Sequence, residues 1–208
     1  MRHSILENLE KLEYIKSDEI PNIDLYMDQL TTFMDSRLRN LARNPGEDKV
    51  MTKTMINNYA KNDLLPPSVK KKYCKEHVLL LLFIYYFKGI LSINDIQNLL
   101  KPLTDQYFQN GGQFGLEEIY EEVFSMEATE IQALKKDMEE KYVIASETFQ
   151  QVEEEEREFL QRFAFICLLS YDVYMKKLII EKTIDGFTEK LKKEKAGQEK
   201  GKGEKEKK

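Results

Sequence analysis

The sequence predicts an all-α protein, on three observations. Apolar residues recur at helical spacing through most of the 208 residues, and glycine and proline are few, at 9 and 5, with Pro21, Pro45, Gly46, Pro66, Pro67 and Gly89 at joints between such runs. A content of 41 % hydrophobic and 33 % charged residues suits amphipathic helices packed around a core rather than a disordered chain.

The elements follow in order. Residues 5–15 carry apolar positions among Glu7, Glu10 and Glu13, which reads as an amphipathic helix over the first 20 residues rather than a secretory signal; Pro21 breaks it. Residues 23–41 form a second helix with Ile23, Tyr26, Met27, Leu30, Phe33, Met34, Arg37, Leu38 and Leu41 along one stripe, closed by Pro45 and Gly46. A third, short helix starts at Thr52 or Thr54, either of which can cap it, and ends near Leu65 ahead of Pro66 and Pro67. A fourth spans about 75–88 up to Gly89. Ser92 opens a fifth, with Asp95 at the capping-box position, and Pro102 stops it or sits just beyond its end. The glycine-rich run 104–115 is a loop and the expected domain boundary, and residues 116–186 hold two or three long helices. The last, about 151–185, is apolar enough to be nearly enclosed, with Phe159, Phe163, Ile166, Leu169, Val173 and Leu178 as core or interface positions and Cys167 as a small core residue. Residues 188–208 are low in complexity, rich in Lys and Glu, and read as a disordered tail.

Charge divides the chain in two. Between residues 37 and 77 ten Lys and Arg face four acids, a local net of +6, within a protein whose overall net charge is −5. Between 117 and 161 four basic residues face fifteen acids, a net of −11. The first region would attract a polyanion and the second would repel it. The two most apolar runs, 78–87 and 163–169, fall short of the roughly 20 residues of a membrane span and read as buried helices of a soluble protein. Cys74 and Cys167, far apart, do not make a disulfide scaffold, so a cytoplasmic setting is expected.

Within the basic island, Thr52, Lys53, Thr54, Asn57, Asn58 and Lys61 fall on the accessible faces of the short third helix, next to Tyr59. Asn hydrogen-bonds adenine edges well, and Thr and Lys serve phosphates and bases. Lys70, Lys71 and Lys72, followed by Tyr73, project from the turn after the two prolines, where they would clamp a phosphate backbone. The second and third helices then form a helix-turn-helix pair, one supporting and one reading.

Here a family resemblance enters. The run "TMINNYAKNDLLPP", followed by "KKKYCKEHVLLLLFIYYFKGILSINDIQNLL", resembles the MerR-type winged helix-turn-helix. Ile56 and Tyr59 match the end of its reader helix, Leu64 to Pro67 the turn, Lys71 and Tyr73 the wing, and Ser92, Ile93 and Ile96 the last helix. The wing is short, with only Ser68 and Val69 between prolines and lysines, and Asn57 or Asn58 stands where the family carries arginine. The whole chain is also similar to an uncharacterised bacterial domain family, some of whose members are labelled transcriptional regulators. The resemblance implies a MerR-like DNA-binding domain over residues 21–104 and a helical dimerisation or regulatory domain over 116–187. Its implied function is control of transcription by binding double-stranded DNA as a homodimer paired through the C-terminal helices, under an unidentified effector.

Other classes find little support. No nucleophile motif, P-loop, dinucleotide fingerprint or zincin motif is present, so no enzyme is expected and no cofactor. Cys74 and His77 alone do not make a metal site. The alternative from a different class is a protein-interaction adaptor that keeps the helix-turn-helix-like fold without binding DNA.

Overall fold

The computed structural model describes residues 14–205 apart from Pro45, Asp48 and Gln113; most of the amphipathic helix expected over residues 1–20 therefore lies outside the described residues. Helices dominate, so the all-α prediction holds, with one addition: two short strands, β1 (Leu25–Tyr26) and β2 (Lys72–Tyr73), pair antiparallel. Helices α1 (Met27–Leu38), α2 (Lys53–Lys61), α3 (Lys75–Phe87), α4 (Ile93–Tyr107), α5 (Leu116–Ser125), α6 (Glu127–Ser146) and α7 (Glu154–Lys205) follow in chain order.

The strands correct the reading of 23–41 as one helix. Leu25 lies opposite Tyr73 and Tyr26 opposite Lys72, and the period of two puts Leu25 and Tyr73 in the core while Tyr26 faces out. Pairing of that dipeptide delays the helix to Met27, whose inner face then buries Leu30, Met34 and Leu38. Helix α3 is the centre of the fold. From Val78 to Ile84 every residue is 0–5 % exposed, the mark of a helix enclosed on all sides.

Helix α4 begins as its sequence dictates. Ser92 accepts a bond from the Asp95 amide at 3.1 Å, and the Asp95 carboxylate accepts one from the Ser92 amide at 3.3 Å. It does not stop at Pro102 but continues to Tyr107. The proline removes one N–H bond, yet buried Ile96 and Leu100, with Leu99, Leu103 and Tyr107 packed behind them, hold both halves to one core.

The run 104–115 is helical as far as Tyr107, and the loop that follows it does not separate two cores. Leu116 and Tyr120 are fully buried with Phe83, and the Tyr120 hydroxyl donates to the Ile15 carbonyl at 2.7 Å. The boundary drawn there from composition thus divides helices that share one hydrophobic cluster.

Helices α6 and α7 form a hairpin. Gln161 Nε2 donates to the carbonyls of Ser146 and Thr148 at 2.7 and 3.0 Å, and Tyr142 meets Phe165 edge to face at 5.6 Å. Farther along α7, Ile184 is buried in the main cluster. Helix α7 is not the nearly enclosed helix its composition suggested: Phe159, Phe163, Ile166 and Val173 are 54–68 % exposed, and Cys167 is exposed too. Over residues 188–205, part of the stretch expected as a tail, the backbone continues α7 to Lys205. The Lys, Glu, Gln and Ala of that stretch are strong helix formers that extend a helix already nucleated upstream.

Candidate nucleic-acid interface

Helix α2 is built by its caps. Thr52 is the N-cap, its hydroxyl oxygen accepting the Met55 amide at 3.2 Å. The C-terminus closes at Lys61 rather than near Leu65, because Asp63 adopts φ 52°. The Leu64 amide then donates to the Tyr59 carbonyl at 2.9 Å and the Asp63 amide to the Ala60 carbonyl at 3.3 Å, a Schellman closure with buried Leu64 set against Tyr59. Between these caps the helix divides cleanly. Ile56 and Tyr59 are buried, whereas Thr54, Asn57, Asn58 and Lys61 are exposed. Spaced i, i+3, i+4, i+7, these four share one face.

Lys53 stands at the start of that face, 58 % exposed and ion-paired with Asp28 at the start of α1. The pair ties the start of α2 to the start of α1 while leaving the ammonium largely in solvent. Such exposed pairs contribute about 0–1 kcal/mol, so positioning is their main effect.

The basic turn is a minimal hairpin. Val69 and Lys72 exchange both backbone hydrogen bonds, at 3.1 and 2.9 Å, leaving Lys70 and Lys71 as a two-residue loop. Both have positive φ, 51° and 63°, the signature of a type I′ turn. That conformation favours Asn-Gly, and a side chain with a Cβ costs roughly 1 kcal/mol or more at each position. Two exposed ammonium groups therefore stand at the tip at a conformational cost. Among the described residues neither they nor Asn57, Asn58 or Lys61 has its side chain taken up by a hydrogen bond or ion pair.

Lys72 behaves differently from its neighbours. Its Nζ lies 5.0 Å from the centroid of the Tyr26 ring on the outer face of the strand pair. Tyr26, expected on the helical stripe, holds Lys72 instead, and Asp28, which no local pattern marks, holds Lys53; their partners lie 46 and 25 residues away.

Two of the predicted contact residues belong to the core instead. Tyr59 is 7 % exposed, with burial raising its hydroxyl pKa, and Tyr73 is 6 % exposed beneath the hairpin. Both occupy the inward side of their elements, so neither ring can stack on a base.

Beneath the hairpin His77 is 1 % exposed. Its Nδ1 accepts the Cys74 amide at 3.1 Å and lies 3.0 Å from Cys74 Sγ, which fixes the proton on Nε2. The ring meets Tyr73 and Phe108 edge to face, at 5.4 and 4.8 Å. Among the described residues no acceptor meets Nε2 at full hydrogen-bond geometry, and burial holds the imidazole below its ordinary pKa against the opposing effect of the nearby Pro66 and Pro67 backbone. Among the described residues no cluster of three metal-ligating side chains occurs, and no helix is long and apolar enough to cross a membrane.

The fold defines a helical domain in which a capped polar helix and a strand of the lysine-tipped β-hairpin both pack against α1. The chain belongs to the DUF1836 family, a domain of unknown function whose family model matches residues 15–123. That span contains α1 through most of α5, and with them every residue of the candidate interface. No curated protein and no solved structure matches the chain.

Proposed function

We propose that the protein is a cytoplasmic transcriptional regulator that binds double-stranded DNA with α2 and the hairpin tip, in the manner of a MerR-like winged helix-turn-helix. The observation that carries this reading is the tip itself. Lysine at two consecutive left-handed positions is disfavoured, and such strain concentrates where a backbone serves recognition. The exposed face of Thr54, Asn57, Asn58 and Lys61 supplies amide, hydroxyl and ammonium groups suited to base edges and phosphates. Thr52 acts as the cap rather than a contact, and Tyr59 and Tyr73 act as supports.

The adaptor reading is favoured by one observation, the wide apolar surface left open on α7. The two readings part on salt. Titration of a labelled duplex with the intact protein should show affinity falling steeply with salt, with a slope of about −0.9 per phosphate neutralised. Changing Lys70, Lys71 and Lys72 together to Glu should abolish binding. An unchanged affinity in that triple variant would sink the hairpin's role, and salt-insensitive or absent binding by the wild type would leave the adaptor standing.

A further inference from the structure

The first turn of α3 brings a thiol, an imidazole and a side-chain amide to one point. Cys74 is the N-cap of α3 and His77 lies three residues on, so both fall on the same side of that turn. Cys74 Sγ is 3.0 Å from His77 Nδ1, and Gln109 Nε2, from the loop after α4, donates to the same sulfur at 3.6 Å. Gln109 is held there with φ 52°, its own backbone amide donating to the Glu76 carboxylate at 2.8 Å.

The imidazole is set as a base. His77 is 1 % exposed, and burial keeps the ring neutral. Nδ1 therefore keeps its lone pair for the two donors that face it, the Cys74 amide at 3.1 Å and the thiol. The rings of Tyr73 and Phe108, edge to face with the imidazole, hold its plane. When the ring takes a proton, the Pro66 and Pro67 backbone and the Asp24 carboxylate favour the positive charge. A cysteine attacks as the thiolate, and a base within hydrogen-bond reach of the sulfur is a common way to make one.

Access limits the reaction partner. Cys74 is half-buried, and His77 and Gln109 stand against its sulfur, so a bulky electrophile would have to displace them. Hydrogen peroxide is small enough for such a site.

We propose that Cys74 is a peroxide-reactive thiol, with His77 as its base and Gln109 as the donor that steadies the charged sulfur. Sγ attacks one oxygen of the peroxide as its proton passes to Nδ1. An S–O bond forms, the O–O bond breaks, and Nδ1 gives the proton to the departing oxygen, which leaves as water. Sulfur loses two electrons and the peroxide gains them, so the thiol becomes a sulfenic acid. Tyr73, the last residue of β2, precedes Cys74 and packs on His77, which puts the added oxygen at the base of the hairpin. The inference stands on thiol chemistry and does not require DNA binding.

Cys167, exposed on α7, is the comparison within the same molecule. The full chain is treated with hydrogen peroxide in the presence of dimedone, which captures sulfenic acids, and the labelling rate of each cysteine is read by peptide mass spectrometry. Cys74 should label faster than Cys167 by about tenfold or more although it is less exposed, because base assistance outweighs access. In urea the two rates should converge. His77→Gln should bring Cys74 down to the rate of Cys167 or below at unchanged helicity. Gln109→Ala, at an exposed position that leaves the core alone, should slow Cys74 severalfold, and it decides alone if the histidine variant loses its fold. Labelling of Cys74 no faster than Cys167 in the folded chain, or an advantage that survives either substitution, would overturn the proposal.

Discussion

The two most apolar helices of this protein, α3 and α7, meet opposite fates. Along α3, Val78 to Ile84 are 0–5 % exposed, covered by elements from both directions in the chain. Along α7, Phe159, Phe163, Ile166 and Val173 remain 54–68 % exposed, with α6 engaged elsewhere on the helix. The difference teaches that apolar content calls for a partner without naming it. In α3 the partner is the rest of the hydrophobic cluster; in α7 no described element covers these side chains.

The contrast can be tested by truncation. Leu81→Ala, in the fully buried run, should lower the unfolding free energy by about 2–5 kcal/mol in urea denaturation. Phe163→Ala should change it by no more than about 0.5 kcal/mol, since more than half of the side chain is already in water. Equal losses at the two sites would erase the distinction between covered and uncovered helices.

A second pair of substitutions sets stability against recognition. Lys70→Asn with Lys71→Gly gives the hairpin the residues its turn prefers, and should raise stability by about 1–2 kcal/mol while weakening duplex binding. A gain in stability with affinity intact would mean the lysines stand at the tip for some other reason. Thr52→Ala should cost about 1 kcal/mol by leaving the Met55 amide without its acceptor, detected as a lower urea midpoint.

Acid should produce the gentlest effect, confined to the α3 side. The folded-state pKa of His77 lies below its unfolded value because burial disfavours the charged ring. The unfolded chain therefore takes up the proton first as pH falls. Stability from this group is complete above the ordinary histidine range, about pH 6.5, and is lost as pH drops toward the folded-state pKa. Urea midpoints followed from pH 7 to 5 should decline in the wild type and decline less in His77→Gln. Helix α7 has no histidine and should contribute nothing to that slope.

What was legible in the sequence was local. The Thr52 and Ser92 caps, the exposed pattern of Asn57, Asn58 and Lys61, and the buried α3 all follow from spacing within a turn or two of helix. What was missed depends on distant pairing. Tyr26 left its helix because Lys72 lies across from it, and Tyr73 was drawn inward because Leu25 lies across from it. The early end of α2 was hidden for another reason: Asp63 takes a left-handed conformation that asparagine or glycine would have announced more plainly. Pro102 misled because tertiary burial on both sides outweighs one lost hydrogen bond.

The central claim is that a polyanion is read by α2 and the hairpin tip and by no other part of the molecule. Amide hydrogen exchange on the full chain, with and without a mixed-sequence duplex at low salt, tests it most directly. The account predicts added protection over residues 53–61 and 69–72, lost at high salt, with α7 unchanged. Protection on α7 alone, or none anywhere at saturating duplex, would contradict it.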